Sequence, residues 1–201
     1  VTYDLLKDTY FDLDSVEVAD ITGKDNFMNS VHKSTQRSLN MLRDQKTVIK
    51  NLDAYIDGAF ADGLVSEAEA KAIEKYINTV NSTKADIDAQ FTTLYANSYL
   101  SGDAKTNLNA AKTALNTATS NLLGSINTAI ADGAASAAEK LDVDSKFTAF
   151  NSALSTYQTR VEQAQGAIHA AAAKAYTDGQ LSDYAAVVTS SLGDLQSQID
   201  G

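Results

Sequence analysis

The 201-residue chain contains no proline, no cysteine and no tryptophan. At average usage near 5%, a chain of this length would carry about ten prolines. Proline costs ~3 kcal/mol inside a helix, and turn-rich β-sandwiches and enzyme loops use it freely. Its absence therefore points to long uninterrupted helices and against an all-β fold. Without cysteine there is no disulfide framework and no thiolate metal site. Long apolar runs are also missing: the longest, Tyr184 to Val188, has five residues, far short of the ~20 needed to span a bilayer. Positive charge is scarce, with 16 basic residues against 26 acidic ones and a net charge of −10. Phosphate backbones and anionic membrane surfaces are repelled at long range, which argues against nucleic acid as a partner; the lack of a spanning run argues against membrane insertion. The chain opens on valine without a charged-then-apolar leader, and is expected to be a piece of a longer polypeptide.

Alanine is what is abundant, and it is unevenly placed. Residues 1–53 hold only Ala19, whereas residues 54–186 hold the other thirty-one. The opening stretch, residues 1–25, mixes aromatics with acids and reads as an irregular lead-in. From about Asn26 the apolar residues Leu39, Leu42, Ile49, Leu52, Ile56 and Phe60 recur at three-, four- and seven-residue spacings, which predicts a first long helix.

A repeat follows. ADGLVSEAE at 61–69 returns seventy residues later as ADGAASAAE at 131–139, with a weaker form, TDGQLS, at 177–182. Its chemistry is that of a tight helix-to-helix turn. Gly63 and Gly133 suit the left-handed conformation that closes a helix, and Ser66 and Ser136 suit the cap of the next one. Glu69 and Glu139, three residues on, suit the return bond of a capping box.

Each turn launches a heptad seam. The first copy runs Ile73, Ile77, Val80, Lys84, Ile87, Phe91, Leu94 and Ser98; the second runs Val143, Phe147, Phe150, Leu154, Tyr157, Val161, Ala164 and Ile168. After Ser101-Gly102 comes a third: Leu108, Ala111, Leu115, Ala118, Leu122, Ser125 and Ala129. Such seams pack at shallow left-handed crossings of about 20°. Short connections make consecutive helices antiparallel neighbours. The expected fold is all-α: an elongated antiparallel helical bundle, with a spectrin-like three-helix unit over residues 26–132 and a partial second repeat over 133–201. In that second repeat a last helix turns back near Ser182, and Gly166 is a candidate bend. Lys84, inside a seam, is expected to reach out to water.

Chemistry is sparse. His32 and His169 lie far apart with no thiolate to join them, so they read as solvated helix-surface residues rather than zinc ligands. Asp12 with Asp14, and Asp142 with Asp144, are two apart, which on a helix turns them to nearly opposite faces and prevents shared acid–base work. Asp62, Gly63, Val65 and Glu69 echo part of a calcium loop, yet that register puts Gly58 and Phe60 where carboxylates are required. No phosphate loop, HExxH helix, GxSxG elbow or nucleophilic triad can be assembled. No catalytic, metal or cofactor-binding residue is therefore expected, no cofactor, and no enzyme activity. Phe91, Phe147, Phe150 and Tyr157 sit in seams, where a core role outweighs stacking on sugars. Tyr3, Tyr10 and Phe11 stand outside the helical pattern as a candidate docking group for a preceding domain.

One stretch, SYLSGDAKTNLNAAKTALNTATSNLLGSINTAIADGAASAAEKLDVDSKFTAFNSALSTYQTRVEQAQGAI, resembles the helical spacer repeats of phage minor structural proteins, the long tail-tip and tail-fibre polypeptides. The matching elements are the turn at Ser101-Gly102, the helix end Asn127 to Gly133, the start Ala138 to Lys140 and the core stretch Phe147 to Leu154. The likeness covers about residues 54–175, and it departs where Ala171 to Ala173 replace the expected second Ser-Gly turn. It implies a noncatalytic virion component of the tail that spaces host-binding domains. Its implied partners are other tail or baseplate subunits and flanking domains of the same polypeptide, with homo-oligomers left open. The same physics would build the stalk of a bacterial surface or secreted adhesin, or a helical cap appended to a hydrolase.

Overall fold

The computed structural model describes residues 13–200, with side chains described for Lys33 and for residues 36–198. Four helices carry the chain: α1 (Leu13–Ala59), α2 (Glu67–Tyr95), α3 (Gly102–Ala129) and α4 (Ala137–Asp200). The fold is an all-α helical bundle. Helix α1 begins at Leu13, so an irregular lead-in cannot extend to residue 25. The group formed by Tyr3, Tyr10 and Phe11 lies outside the described residues. By internal packing the chain divides into Ser34–Ala167 and a second unit made of Val1–Lys33 with Ile168–Gly201. That division does not fall at the boundary expected between 132 and 133.

Within Ser34–Ala167 the bundle has four helices, not three. Ser38 on α1 donates to Gln90 Oε1 on α2 at 3.3 Å, and Tyr55 lies against Tyr76 across the same pair with ring centroids 5.6 Å apart. Lys112 on α3 reaches Asp88 on α2, and Ser125 on α3 reaches Asp142 on α4. Lys140 on α4 lies 3.5 Å from Asp57 on α1, which closes the ring. The first part of α4, expected to open a second unit, is thus the fourth wall of this one. Its physical unit is the seventy-residue helical hairpin, and each hairpin buries its stripe against the other.

The turns form as their chemistry dictates. Gly63 and Gly133 take φ of 76° and 79°, which costs a residue without Cβ nothing. In each turn the preceding aspartate accepts the amide two residues on, Leu64 N–H to Asp62 Oδ1 at 3.0 Å and Ala134 N–H to Asp132 Oδ1 at 3.1 Å. Both capping boxes close: Ser66 N–H donates to Glu69 Oε2 at 2.9 Å and Ser136 N–H to Glu139 Oε2 at 2.8 Å. In return, Glu69 and Glu139 donate their amides to the serine hydroxyls at 3.3 Å. The two turns then bond to each other. Val65 N–H donates to the Gly133 carbonyl at 2.8 Å and Ala135 N–H to the Gly63 carbonyl at 3.0 Å, making an isolated antiparallel bridge at Leu64 and Ala134. Exchanging each residue for its counterpart seventy positions away, 65 for 135 and 133 for 63, turns one bond into the other, so the hairpins are related by a local two-fold axis through the bridge.

The core follows the seams with one shift. Every residue of the second-copy seam, Val143 to Ile168, is buried. In the first copy Ile73, Ile77, Val80 and Ile87 are buried, Lys84, Phe91 and Leu94 are half-buried, and Ser98 is exposed past the end of α2. On α3 the buried stripe is Leu108, Ala111, Leu115, Thr119, Leu122, Ile126 and Ala129, with Lys112 beside it. Thr119 and Ile126 replace the expected Ala118 and Ser125 because the helix takes the step that buries the larger isoleucine.

Helix α4 runs without a break from Ala137 to Asp200. The turn expected at 177–182 does not form, and Gly166 does not interrupt the helix. Two residues explain the difference at 177–182. Ala185 stands where Glu69 and Glu139 complete the other caps, and Asp178, whose counterparts hold the turn amides, is paired instead with Lys174 one helical turn back. Beyond Ala172 the large apolar side chains Leu181, Tyr184, Val187, Val188, Leu192 and Leu195 are exposed.

Candidate functional site

The strongest concentration of charge inside the bundle lies between α2 and α3. Asp88 and Lys84 sit one turn apart on α2, with Lys84 Nζ 2.7 Å from Asp88 Oδ2. Lys112, on the core-facing side of α3, bonds to the other carboxylate oxygen and donates to Asn116 Oδ1 at 2.6 Å. Its side chain is 5% exposed, against 41% for Asp88. Burial alone would raise the Asp88 carboxyl; the hydrogen bonds from Lys112 and Lys84 outweigh it and hold the group below the ordinary carboxylate range. Seam spacing does not single out Lys112, although a signal is present: it lies four residues after Leu108 and three before Leu115, on the same stripe.

Around this layer lie aromatic rings. Lys112 Nζ is 5.9 Å from the centroid of Phe91, Phe91 stacks on Tyr95 at 5.2 Å, and Lys105 lies 4.5 Å over Tyr95. Tyr157 of α4 is buried, and burial together with the charge of Asp88 pushes its phenol well above the ordinary tyrosine value. A cavity of about 10 Å³ between Ser38, Leu42, Gln90, Tyr157 and Val161 has room for roughly one water. Lys84, Asp88, Lys112 and Asn116 satisfy one another. What the arrangement does chemically is fix which face of α3 meets α2, since any other register strands a buried ammonium.

The carboxylates noted in the sequence separate. Asp142 accepts from Ser125 on α3 and pairs with Lys146 at 3.2 Å, and these bonds hold it below the ordinary carboxylate range. Asp144 faces α1, where burial first, and then Asp57 and Asp144, push the Asp53 carboxyl up. Helix geometry thus sends the two acids to different neighbours. Asp12 lies outside the described residues, as do the side chains of Asp14 and His32. His169 is half-buried rather than solvated, and its Nε2 has no hydrogen-bond partner among the described residues. Asp62 and Glu69 spend their oxygens on the loop backbone. Among the described residues, no three His, Cys, Asp or Glu side chains converge as a metal would require, and no helix is long and apolar enough to cross a membrane.

Comparisons with protein-family models, curated proteins and solved structures find no match to the chain.

Proposed function

We propose that the chain is a noncatalytic structural spacer of a phage or prophage tail or tail-fibre protein, positioning host-binding domains relative to the tail. The observation that carries this reading is the doubled hairpin. Its polar turn groups go into the caps and into the mutual bridge at Leu64 and Ala134, and its apolar stripes are buried against each other. Such a unit holds its ends at a fixed separation: at ~1.5 Å per residue the 29 residues of α2 extend about 43 Å. The resemblance of about residues 54–175 to tail spacer repeats, carried by the turn, helix-end and core elements named above, suggests the viral setting. Under this reading the partners are other tail or baseplate subunits and flanking domains of the same polypeptide, and the location is the virion.

Antibody labelling of virions in electron micrographs tests the proposal. Label along the tail supports it, and label absent from the tail rejects it. The rival reading, an adhesin stalk on a bacterial surface, makes equal use of capped hairpins and is separated by flanking sequence: a signal peptide or wall anchor favours the adhesin, and tail-tip domains favour the phage.

A further inference from the structure

The stretch of α4 beyond Ala172 carries apolar surface that the described residues leave open: Leu181 is 63% exposed, Tyr184 58%, Val188 39%, Leu192 61% and Leu195 52%. Their spacing is three, four, four and three, so they form one stripe on the helix. That spacing reads the same in both directions. Leu181 and Leu195 lie seven residues either side of Val188, and Tyr184 and Leu192 lie four either side.

We propose that this stripe is the interface of a two-fold antiparallel helix pair formed with a second copy of the chain, centred on Val188. A two-fold axis there seats Leu181 against Leu195 of the other copy, Tyr184 against Leu192, and Val188 against itself, which is the self-complementarity an isologous contact requires. Charge favours this occupant over a charged partner. Between Gly179 and Gln198 the only ionisable acids are Asp183 and Asp194 and there are no basic residues; at 100° per residue both acids fall on the opposite half of the helix from the stripe. The seam of two copies is therefore neutral, and nothing along it would recognise a charged surface. The antiparallel direction follows from the upstream end, where a parallel pair would stack Lys174 on Lys174 and Asp178 on Asp178, while the two-fold pair separates them. Small residues beside the stripe, Ala185, Ser191 and Thr189 among them, let the helices approach closely. With five large side chains on each copy, the pair buries on the order of 1,000 Å², the lower bound of specific association. The contact is accordingly weak and concentration-dependent.

Sedimentation of the full chain over low- to high-micromolar concentrations tests the proposal. The expected result is a reversible monomer–dimer equilibrium, weakened on the order of a hundredfold by Leu192→Asp, because one substitution alters two contacts of a two-fold pair. Circular dichroism of that variant should be unchanged, since Leu192 is exposed in the single chain. Direction is read by crosslinking, which the absence of native cysteine makes unambiguous. Leu181→Cys mixed with Leu195→Cys should form a disulfide-linked dimer, and Leu181→Cys alone should not. The proposal is overturned by a chain that stays monomeric. Association that Leu192→Asp leaves intact also overturns it, and so does Leu181→Cys linking to itself as readily as to Leu195→Cys.

Discussion

Lys112 fills in the second hairpin the core position that Leu42 fills in the first: the two are seventy residues apart and are 4% and 3% exposed. The local two-fold symmetry of the bundle is thus broken by an ammonium in place of an isobutyl group. Its answering carboxylate, Asp88, has Gln158 as its counterpart seventy residues on, so the pair exists on one side only.

That asymmetry sets unequal costs for the two partners. Asp88→Ala leaves the buried Lys112 ammonium with Asn116 but no answering charge; because Asp88 itself is 41% exposed, the loss falls below the about 3–5 kcal/mol of a pair buried on both sides. Lys112→Leu restores the residue type found at Leu42, removes the buried charge, and leaves Asp88 half-exposed and still paired with Lys84. The expected order of stability in urea unfolding at neutral pH is Lys112→Leu equal to or above the native chain, and Asp88→Ala well below both. Equal losses for the two variants would contradict the assignment.

The same layer makes the bundle sensitive to acid. Asp88 has a folded-state pKa below its unfolded value, so its contribution is fully present above about pH 4 and is lost as the pH falls through the folded pKa. In Asp88→Asn this component of the acid dependence is absent. Unfolding free energies measured between neutral pH and pH 2 should therefore converge for Asp88→Asn and the native chain as the acid end is approached.

Asp-Gly occurs in all three turn-like words, and glycine-to-alanine substitution should have opposite signs among them. At Gly63 and Gly133 an added Cβ meets only ordinary contacts at 3.6 Å, so the cost comes from positive φ, about 1–2 kcal/mol each. Gly179 lies inside α4, where an added Cβ meets no atom within 4 Å, and Gly179→Ala should strengthen the helix by about 1 kcal/mol. Urea unfolding reads the first effect; amide hydrogen exchange around residues 175–185 reads the second. A loss of protection in Gly179→Ala would mean that the chain turns there after all.

The turns and the strongest seams are legible in the sequence because both rest on local chemistry. Gly63, Ser66 and Glu69 need only one another to specify a reversal, and Val143 to Ile168 form so continuous a stripe that no alternative face competes. Partnering is less legible. A stripe says that a helix needs a neighbour without saying which, so the seam of α4 reads as the opening of a new unit although its first part closes the first. The α3 face is ambiguous for a similar reason: from Leu115 a step of three leads to Ala118 and a step of four to Thr119, and only packing against the other helices selects the step that buries Ile126. Lys112 is hidden because its burial depends on Asp88, twenty-four residues away on another helix.

Where α1 meets α4, repulsion is built in. Burial, Asp57 and Asp144 all raise the Asp53 carboxyl, and Lys140 answers Asp57 at 3.5 Å. A folded-state pKa above the unfolded value means that the ionised group destabilises the bundle at neutral pH, and that this penalty disappears as the pH falls through the folded pKa and the carboxyl takes up its proton. Asp53→Asn removes the charge and keeps the shape. It should raise stability at pH 7 by a few tenths of a kcal/mol, the scale of a partly exposed like-charge contact, with the gain shrinking toward zero below about pH 4. A gain that persists unchanged in acid would assign the effect to helix propensity, and a loss at neutral pH would show that Asp53 has an attractive partner that outweighs Asp57 and Asp144.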